Sequence, residues 1–257
     1  PKQEKNLPAS MPNLKGHTAL DYPGWDLAIK DQQRADLWLK QFANYKQAGE
    51  MPTVQFVYLP RDHTWTLMSG RPAPPAMVAD NDWALGRIVD AVSHSSFWKD
   101  TAIFVTEDDA QDGADHVDGH RTVAQIISPY TQTSKVDSTF YSTVSVLHTM
   151  ELIVGVTPMT QFDATSTPMW RSFTATPNLA TYSVEKPKQS MTARNPAHGP
   201  MAAICARLDF SHPDGVSPLI AAKACRLSMH GSLDGWPPKG AAQTGAYVSG
   251  SGGDGDD

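Results

Sequence analysis

The sequence predicts an α/β fold, in which a mostly parallel sheet is layered by helices and is followed by an irregular C-terminal extension. Helix-like and strand-like patterns alternate between residues 31 and 154. Beyond about residue 160 this alternation gives way to Thr, Pro, Ser and Asn. The chain has 257 residues, of which 40% are hydrophobic, so it is large enough and apolar enough to bury a core.

Three amphipathic helices are predicted in the first two thirds of the chain. Over residues 31–48 apolar side chains recur on one helical face, and Asp31 stands at the position of an N-cap. A second such pattern runs over residues 76–93, and a third opens at Ser138 and continues to about residue 154. Gly49 and Gly155 are the expected C-terminal stops of the first and third helices.

Three short runs rich in β-branched and aromatic residues are expected to form strands between these helices. The first is TVQFVYL at residues 53–59, which two prolines bracket and which has the composition of a buried strand. The other two occupy residues 101–106 and 122–128, on either side of a polar, acidic segment. The simplest interpretation of that pair is strand, polar loop, strand.

The composition divides the chain into four regions. We expect an irregular segment over residues 1–30, an α/β region over residues 31–175 that holds the candidate metal ligands described below, and a mostly irregular extension over residues 176–246. One short helix is predicted in that extension, from about residue 217 to about residue 231. The last region, residues 247–257, is a low-complexity acidic tail that we expect to be disordered.

The charge and cysteine content exclude several classes of protein. The formal net charge is −6 and only 19% of residues are charged, so the chain has no general basic field for nucleic acid or an anionic membrane. No run approaches the ~20 consecutive apolar residues of a transmembrane segment. Two cysteines, Cys205 and Cys225, are too few for a disulfide scaffold or a thiolate zinc cluster. They leave open one disulfide or two free thiols.

A dense group of acidic and histidine side chains follows the strand predicted at residues 101–106. Because such closely spaced carboxylates repel one another, a bound divalent cation would stabilise them, and imidazole is a further natural ligand. The alternative interpretation is a solvated acidic loop. The group consists of Glu107, Asp108, Asp109, Asp112, Asp115, His116, Asp118 and His120.

Placement favours the metal-site interpretation. In open α/β sheets ligands bind beyond the carboxyl ends of strands. Asp108 and Asp109 follow one predicted strand, and Asp62 with His63 follows the strand predicted at residues 53–59. Two such strand ends can converge on one ion. The spacing does not fit a calcium-binding EF-hand, and HExxH, P-loop and dinucleotide motifs are absent, so a nucleotide cofactor has no support.

Four segments together resemble the phosphoesterase family of the alkaline phosphatase superfamily, which includes bacterial acid phosphatases and phospholipases C. The resemblance is strong from about residue 22 to residue 169 and implies an alkaline phosphatase-like fold, present in part. The segments are LPRDHT at residues 59–64, ADNDWALGRIVDAVSHSSFWKDTAIFVTEDD at 79–109, GADHVDGHRTVAQIISPY at 113–130 and FYSTVSVLHTMELIVGVTPMTQFDATSTPM at 140–169.

The resemblance implies a set of metal ligands. In the superfamily a strand ends in Thr, a variable residue, Asp and His; residues 106–109 are similar, with Asp109 in place of the histidine. Asp62 and His63 resemble the Asp-His pair that follows the preceding strand. His116, in the tripeptide DHV, is a ligand of the metal or of the phosphoryl oxygens. With Asp108 these residues form the expected ligand set for a divalent ion, which is Zn, Mn, Ca or Fe.

The resemblance also implies a reaction, the hydrolysis of a phosphate ester by a Ser or Thr nucleophile through a covalent phosphoenzyme. His116, His120 and Arg121 are the expected catalytic residues. Thr64 is the only hydroxyl near the expected site, but capping or packing explains a threonine at a strand end more simply. The substrate is therefore expected to be a phosphate ester.

The family's nucleophile and first metal-binding acid belong to an N-terminal half that has no counterpart before Pro1. We therefore expect the catalytic set to be incomplete, because that half is missing. The alternative function is a noncatalytic metal-binding module, or an inactive fragment that needs a missing partner segment. By analogy with relatives, the expected location is periplasmic or secreted.

Overall fold

A computed structural model describes residues 12–65, 68, 70–108, 122–133 and 135–196. Within these residues helices are combined with a small sheet, so the structure is a mixed helix and strand fold. 3-10 turns lie at Pro12–Leu14, Pro60–His63, Trp98–Asp100 and Trp170–Ser172. The helices and strands are α1 (Asp31–Ala48), α2 (Pro74–Ser93), β1 (Ile103–Thr106), β2 (Ala124–Ile127), α3 (Thr143–Val154) and α4 (Gln161–Thr165).

The sheet of the described residues has two strands and is antiparallel. Ile103 of β1 lies opposite Ile127 of β2, and Thr106 lies opposite Ala124. Both strands fall inside the segments predicted at residues 101–106 and 122–128, which confirms the prediction of strand, loop and strand. The mostly parallel sheet is not shown, since the one strand pair in this part of the chain runs in opposite directions.

The prediction of a buried strand over residues 53–59 is wrong. This segment contains neither helix nor strand, and the side chain of Phe56 is 84% exposed. Val54 and Val57 are exposed as well, while Leu59 packs against the hydrophobic core. A high β-propensity gives a strand only where a neighbouring strand supplies hydrogen bonds and packing. No described strand pairs with this segment.

The helix predictions are confirmed in existence but not in every boundary. The bounds of α1 are as predicted, and Gly49 ends it with a φ of 72° in the left-handed region. The N-cap of α1 is Lys30, however, while Asp31 is the first helical residue and is fully buried. Helix α2 begins earlier than predicted, at Pro74, which is compatible with the first helical turn.

Helix α3 begins at Thr143, five residues after the predicted start at Ser138. Ser142 is its N-cap, and the backbone N–H of Ser142 donates to Oγ of Ser145 at 3.2 Å. This local hydrogen bond fixes the start of the helix, because a short polar side chain satisfies a backbone group there. Gly155 ends α3 with a φ of 74°, as predicted.

The described residues fall into two compact units. The first takes its residues from 1–60 and 81–186, and the second takes its residues from 61–80 and 187–257. In the first unit the hydrophobic core lies where side chains of α1 and α2 meet the Trp98 turn, and Trp38 stacks on Phe42 with ring centroids 4.8 Å apart. The buried members of this core are Ala35, Phe42, Ala84, Ile88, Val92 and Trp98.

A buried polar network lies beside this core in the first unit. Nη1 of Arg34 is 3.2 Å from Oδ1 of Asp31, and neither side chain is exposed. Nη2 of Arg34 donates to the backbone oxygen of Gly24 at 2.7 Å. Nδ2 of Asn81 donates both to Oδ2 of Asp31 at 3.1 Å and to the backbone oxygen of Leu59 at 2.6 Å. The network therefore ties residues of α1 and α2 to the segments that precede them.

Several predictions concern residues outside the described ranges. The helix predicted near residues 217–231, the tail at residues 247–257, and Cys205 with Cys225 all lie there. Among the helices that the structure does describe, none has both the length and the apolar character needed to cross a membrane.

Candidate functional site

The first group of predicted site residues lies in the 3-10 turn Pro60–His63, in the second unit. Asp62 and His63 are half-buried there, and Nδ1 of His63 is 3.2 Å from the backbone oxygen of Thr64. Arg61, the residue before Asp62, is buried, and its Nε lies 3.2 Å from Oδ2 of Asp80, which is buried too. This ion pair anchors the turn, because breaking a buried pair leaves an uncompensated charge.

The chain that continues from this turn is held by residues near the end of the described region. The backbone N–H of Gly70 donates to the oxygen of Asn195 at 3.3 Å, and the N–H of Asn195 donates to the oxygen of Arg71 at 2.8 Å. The N–H of Ala73 donates to the oxygen of Ala193 at 2.9 Å. These main-chain hydrogen bonds hold residues 70–73, which lead into α2.

Thr64, directly after His63, has an unusual backbone conformation. Its φ is 63°, and it is the one residue other than glycine with a positive φ in the described part of the chain. A β-branched residue in this left-handed region is strained by about 1–2 kcal/mol, because Cβ approaches the carbonyl oxygen that follows. Strain of this kind persists where the surrounding structure enforces it, and it is frequent at functional sites.

The strain at Thr64 leads to a stability prediction. We expect Thr64→Gly to be more stable than Thr64→Val by about 1–2 kcal/mol, because glycine adopts a positive φ without a Cβ clash and valine keeps the clash. Both variants lose the hydroxyl group, so the comparison does not depend on its hydrogen bonding. Urea unfolding followed by circular dichroism measures it. Equal stability of the two variants would contradict a strained Thr64.

The second group of predicted site residues follows β1 in the first unit. Asp108 is exposed, and the preceding Glu107 donates its backbone N–H to the oxygen of Val123 at 3.4 Å. Oγ1 of Thr106 donates to the backbone oxygen of Glu107 at 3.0 Å. The chain therefore leaves β1 and enters β2 at the same end of the strand pair, and the acidic segment connects the two strands there. The prediction that Asp108 follows a strand end is confirmed.

The structure describes three of the predicted site residues and not the others. Asp62 and His63 follow a segment without regular secondary structure rather than a strand, so the strand-edge argument holds for Asp108 but not for them. Within the described ranges, no three His, Cys, Asp or Glu side chains are close enough together to hold a metal ion. The predicted residues outside the described ranges are Asp109, His116, His120 and Arg121.

His148 illustrates a histidine with a structural contact. It lies on α3, is half-buried, and its Nδ1 is 2.9 Å from the backbone oxygen of Ser166. His148 is therefore a hydrogen-bonded residue of the helix. The hydrogen bond links α3 to the residue that follows α4.

Sequence reasoning missed two of the buried acids, Asp80 and Glu151. Asp80 pairs with Arg61, and Glu151 lies buried on α3 beside the exposed Leu152 and Ile153. The available signal was an acid next to an apolar run of a predicted helix: Asp80 follows residues 76–79, and Glu151 lies between Met150 and Leu152. Charged residues are rarely buried unless they are paired. A search for the partner of each would have singled them out.

Comparison with known protein families identifies the class of this chain. The model of the Phosphoesterase family matches residues 17–157, which is more than half of the sequence. The chain belongs to the Phosphoesterase family. Membership indicates a phosphoric ester hydrolase with a phosphate ester as substrate. No curated protein and no solved structure shows a significant match to the chain.

Proposed function

We propose that the chain is a metal-dependent hydrolase of phosphate esters, of the phosphatase or phosphodiesterase type. We further place it in the alkaline phosphatase superfamily, as the counterpart of the C-terminal half of such enzymes. The observation that carries the proposal is the family match over residues 17–157. The match includes both the Asp62–His63 turn and the acidic segment after β1.

The proposed ligand set consists of carboxylates and imidazoles, which are the donors that suit Zn, Mn, Ca and Fe ions. When bound, such an ion stabilises charge on the phosphoryl oxygens during ester cleavage. The anchoring of the Asp62–His63 turn through Arg61 supports a fixed geometry for that part of the set. The proposed ligands are Asp62, His63, Asp108, Asp109 and His116.

We assign the remaining chemistry to three side chains of the acidic segment. Arg121 carries a guanidinium group, which binds two phosphoryl oxygens through paired N–H donors. His120 carries an imidazole, which gives or takes a proton at an ester oxygen near neutral pH, and His116 is the alternative for this role if it does not bind the metal. Each of these roles needs contact with the phosphoryl group of the substrate.

The proposal assigns the nucleophile to no residue of this sequence. The second candidate function is therefore a noncatalytic metal-binding module, or an inactive fragment that requires a missing partner segment. This module would use the same proposed ligands and would need no nucleophile of its own. For either function we propose a periplasmic or secreted location.

A phosphatase assay of the purified chain tests the proposal. We expect hydrolysis of p-nitrophenyl phosphate or bis-p-nitrophenyl phosphate that depends on added Mn²⁺, Ca²⁺, Zn²⁺ or Fe²⁺. Asp108→Asn is expected to reduce this turnover at least ~100-fold, because the amide keeps the shape of the carboxylate but loses its charge. Asp100→Asn is the matched control, since Asp100 is exposed and pairs with its neighbour Lys99.

Calorimetric titration with the same ions separates the two candidate functions. Ion binding that Asp108→Asn weakens, without turnover in any assay, would identify a metal-binding module. Turnover lost in Asp108→Asn and kept in Asp100→Asn supports the enzyme. Turnover that survives in Asp108→Asn and in chelator would contradict metal-dependent hydrolysis at this site.

A further inference from the structure

Two buried carboxyl groups meet where α3 is joined to α4 in the first unit. Glu151, on α3, is 5% exposed, and Asp163, on α4, is 2% exposed. The backbone N–H of Met159, in the loop between the helices, donates to Oε1 of Glu151 at 3.2 Å and to Oδ2 of Asp163 at 2.7 Å. Two acidic side chains thus converge on a single donor.

The two carboxyl groups have unequal hydrogen bonding. Oδ1 of Asp163 accepts from the backbone N–H of Thr160 at 2.8 Å and from the Thr160 hydroxyl as well. Oε2 of Glu151, in contrast, is buried and has no hydrogen-bond donor among the described residues. Because hydrogen bonds stabilise the ionised form of an acid, Asp163 is the carboxyl group that keeps its charge.

The pKa of Asp163 is lowered and the pKa of Glu151 is raised, as expected from this unequal hydrogen bonding. The hydrogen bond from the Thr160 hydroxyl is the main cause that lowers the pKa of Asp163. Burial raises the pKa of Glu151, and its hydrogen bond with Asp163 raises it further. Two ionised carboxylates in contact would repel each other, whereas one proton between them turns repulsion into a hydrogen bond.

Few other charges bear on Glu151 from the described elements packed around it. His148, one turn earlier on α3, lowers the pKa of Glu151, as does the N–H of Met159. Asp163 is the acidic group that faces Glu151 from α4. His148 and Asp163 therefore act on the pKa of Glu151 in opposite directions.

We propose that Glu151 and Asp163 share one proton, carried by Oε2 of Glu151, and that this proton locks α4 onto α3 in a pH-dependent way. The bond donates from the Glu151 carboxyl group to an oxygen of Asp163. As pH rises and the proton leaves, the pair becomes two like charges and the lock weakens. The device is independent of the proposed hydrolase function, since neither residue belongs to the proposed site.

The pH dependence of stability tests the lock. The native state keeps a proton that the unfolded chain loses near pH 4.5, the ordinary pKa of glutamate. Between that pH and the native pKa of Glu151, the unfolding constant of the wild type should therefore rise up to about tenfold per pH unit, relative to Glu151→Gln. Glutamine donates to Asp163 at every pH, so this variant keeps the lock permanently.

The measurement is urea unfolding of the full chain over a pH series, with Glu185→Gln as the control. Glu185 is exposed, so its replacement should leave the pH dependence of the wild type unchanged. Parallel pH profiles for the wild type and Glu151→Gln would overturn the proposal. The proposal would also be overturned if added Ca²⁺ stabilised the wild type and abolished the pH dependence of its stability. In that case the pair would bind a cation instead of a proton.

Infrared spectroscopy of the wild type tests for the proton on Glu151 directly, even if Glu151→Gln fails to fold. A protonated carboxyl group has a carbonyl band that an ionised one lacks. We expect this band in the wild type at a pH where exposed glutamates are already ionised, and its loss on further titration. Its absence at that pH would overturn the proposal.

Discussion

Replacing Asp31 by alanine is expected to lower the free energy of unfolding by about 3–5 kcal/mol. The carboxylate of Asp31 is fully buried and lies 3.2 Å from Nη1 of Arg34, which is also buried. Removing it leaves the guanidinium charge in the interior without its counter-ion. Asn81 loses an acceptor for its side-chain amide at the same time. The carbonyl groups that also bind Arg34 do not neutralise its charge.

Asp36→Ala is the matched control for Asp31→Ala on the same helix. Asp36 pairs with Arg87, but its side chain is 62% exposed, so solvent screens the interaction. We expect this variant to lose no more than about 1 kcal/mol. Urea unfolding followed by far-ultraviolet circular dichroism measures both. Equal losses in the two variants would contradict the idea that the buried network stabilises α1.

Phe42→Ala is expected to cost a similar amount, about 3–5 kcal/mol. The ring of Phe42 is 1% exposed, stacks on Trp38 with centroids 4.8 Å apart, and contacts Phe97 with centroids 6.1 Å apart. Alanine removes the buried ring and leaves a cavity that rigid helices close only in part. The midpoint of urea denaturation should fall, with little change in its slope.

Phe56→Ala is the control for Phe42→Ala and also tests the correction at residues 53–59. Because Phe56 is 84% exposed, its truncation should change stability by no more than about 0.5 kcal/mol. A loss comparable to that of Phe42→Ala would mean that residues 53–59 form a buried strand after all. The two phenylalanines thus distinguish the observed core from the one the sequence pattern predicted.

The parts of the fold that the sequence predicted well are those governed by local patterns. Helix α1 has its predicted bounds because the apolar period and Gly49 act within the helix itself. Strands β1 and β2 lie within their predicted segments for a similar reason. The segment at residues 53–59 was mispredicted because a strand depends on a partner distant in sequence, and local composition does not reveal that partner.

At the candidate site, too, the features set by local sequence were predictable and those set by distant contacts were not. That Asp108 follows a strand was predictable from the adjacent pattern, and the structure confirms it. The Arg61–Asp80 pair and the strained φ of Thr64 were not predicted, because both depend on how the chain closes around the turn. The combination of Asp62, His63, Asp108, Asp109 and His116 in one metal site stays a prediction.

The pairing of Thr106 with Ala124 brings the two chain ends that flank the acidic segment to neighbouring positions of one ladder. Paired residues in an antiparallel sheet have Cα atoms about 5 Å apart. Residues 107–123 can therefore be transplanted as a cassette onto the hairpin of an unrelated host protein, whose strands would supply the same closure. Cation affinity of that chimaera would report what the segment binds by itself, apart from every other residue of this chain.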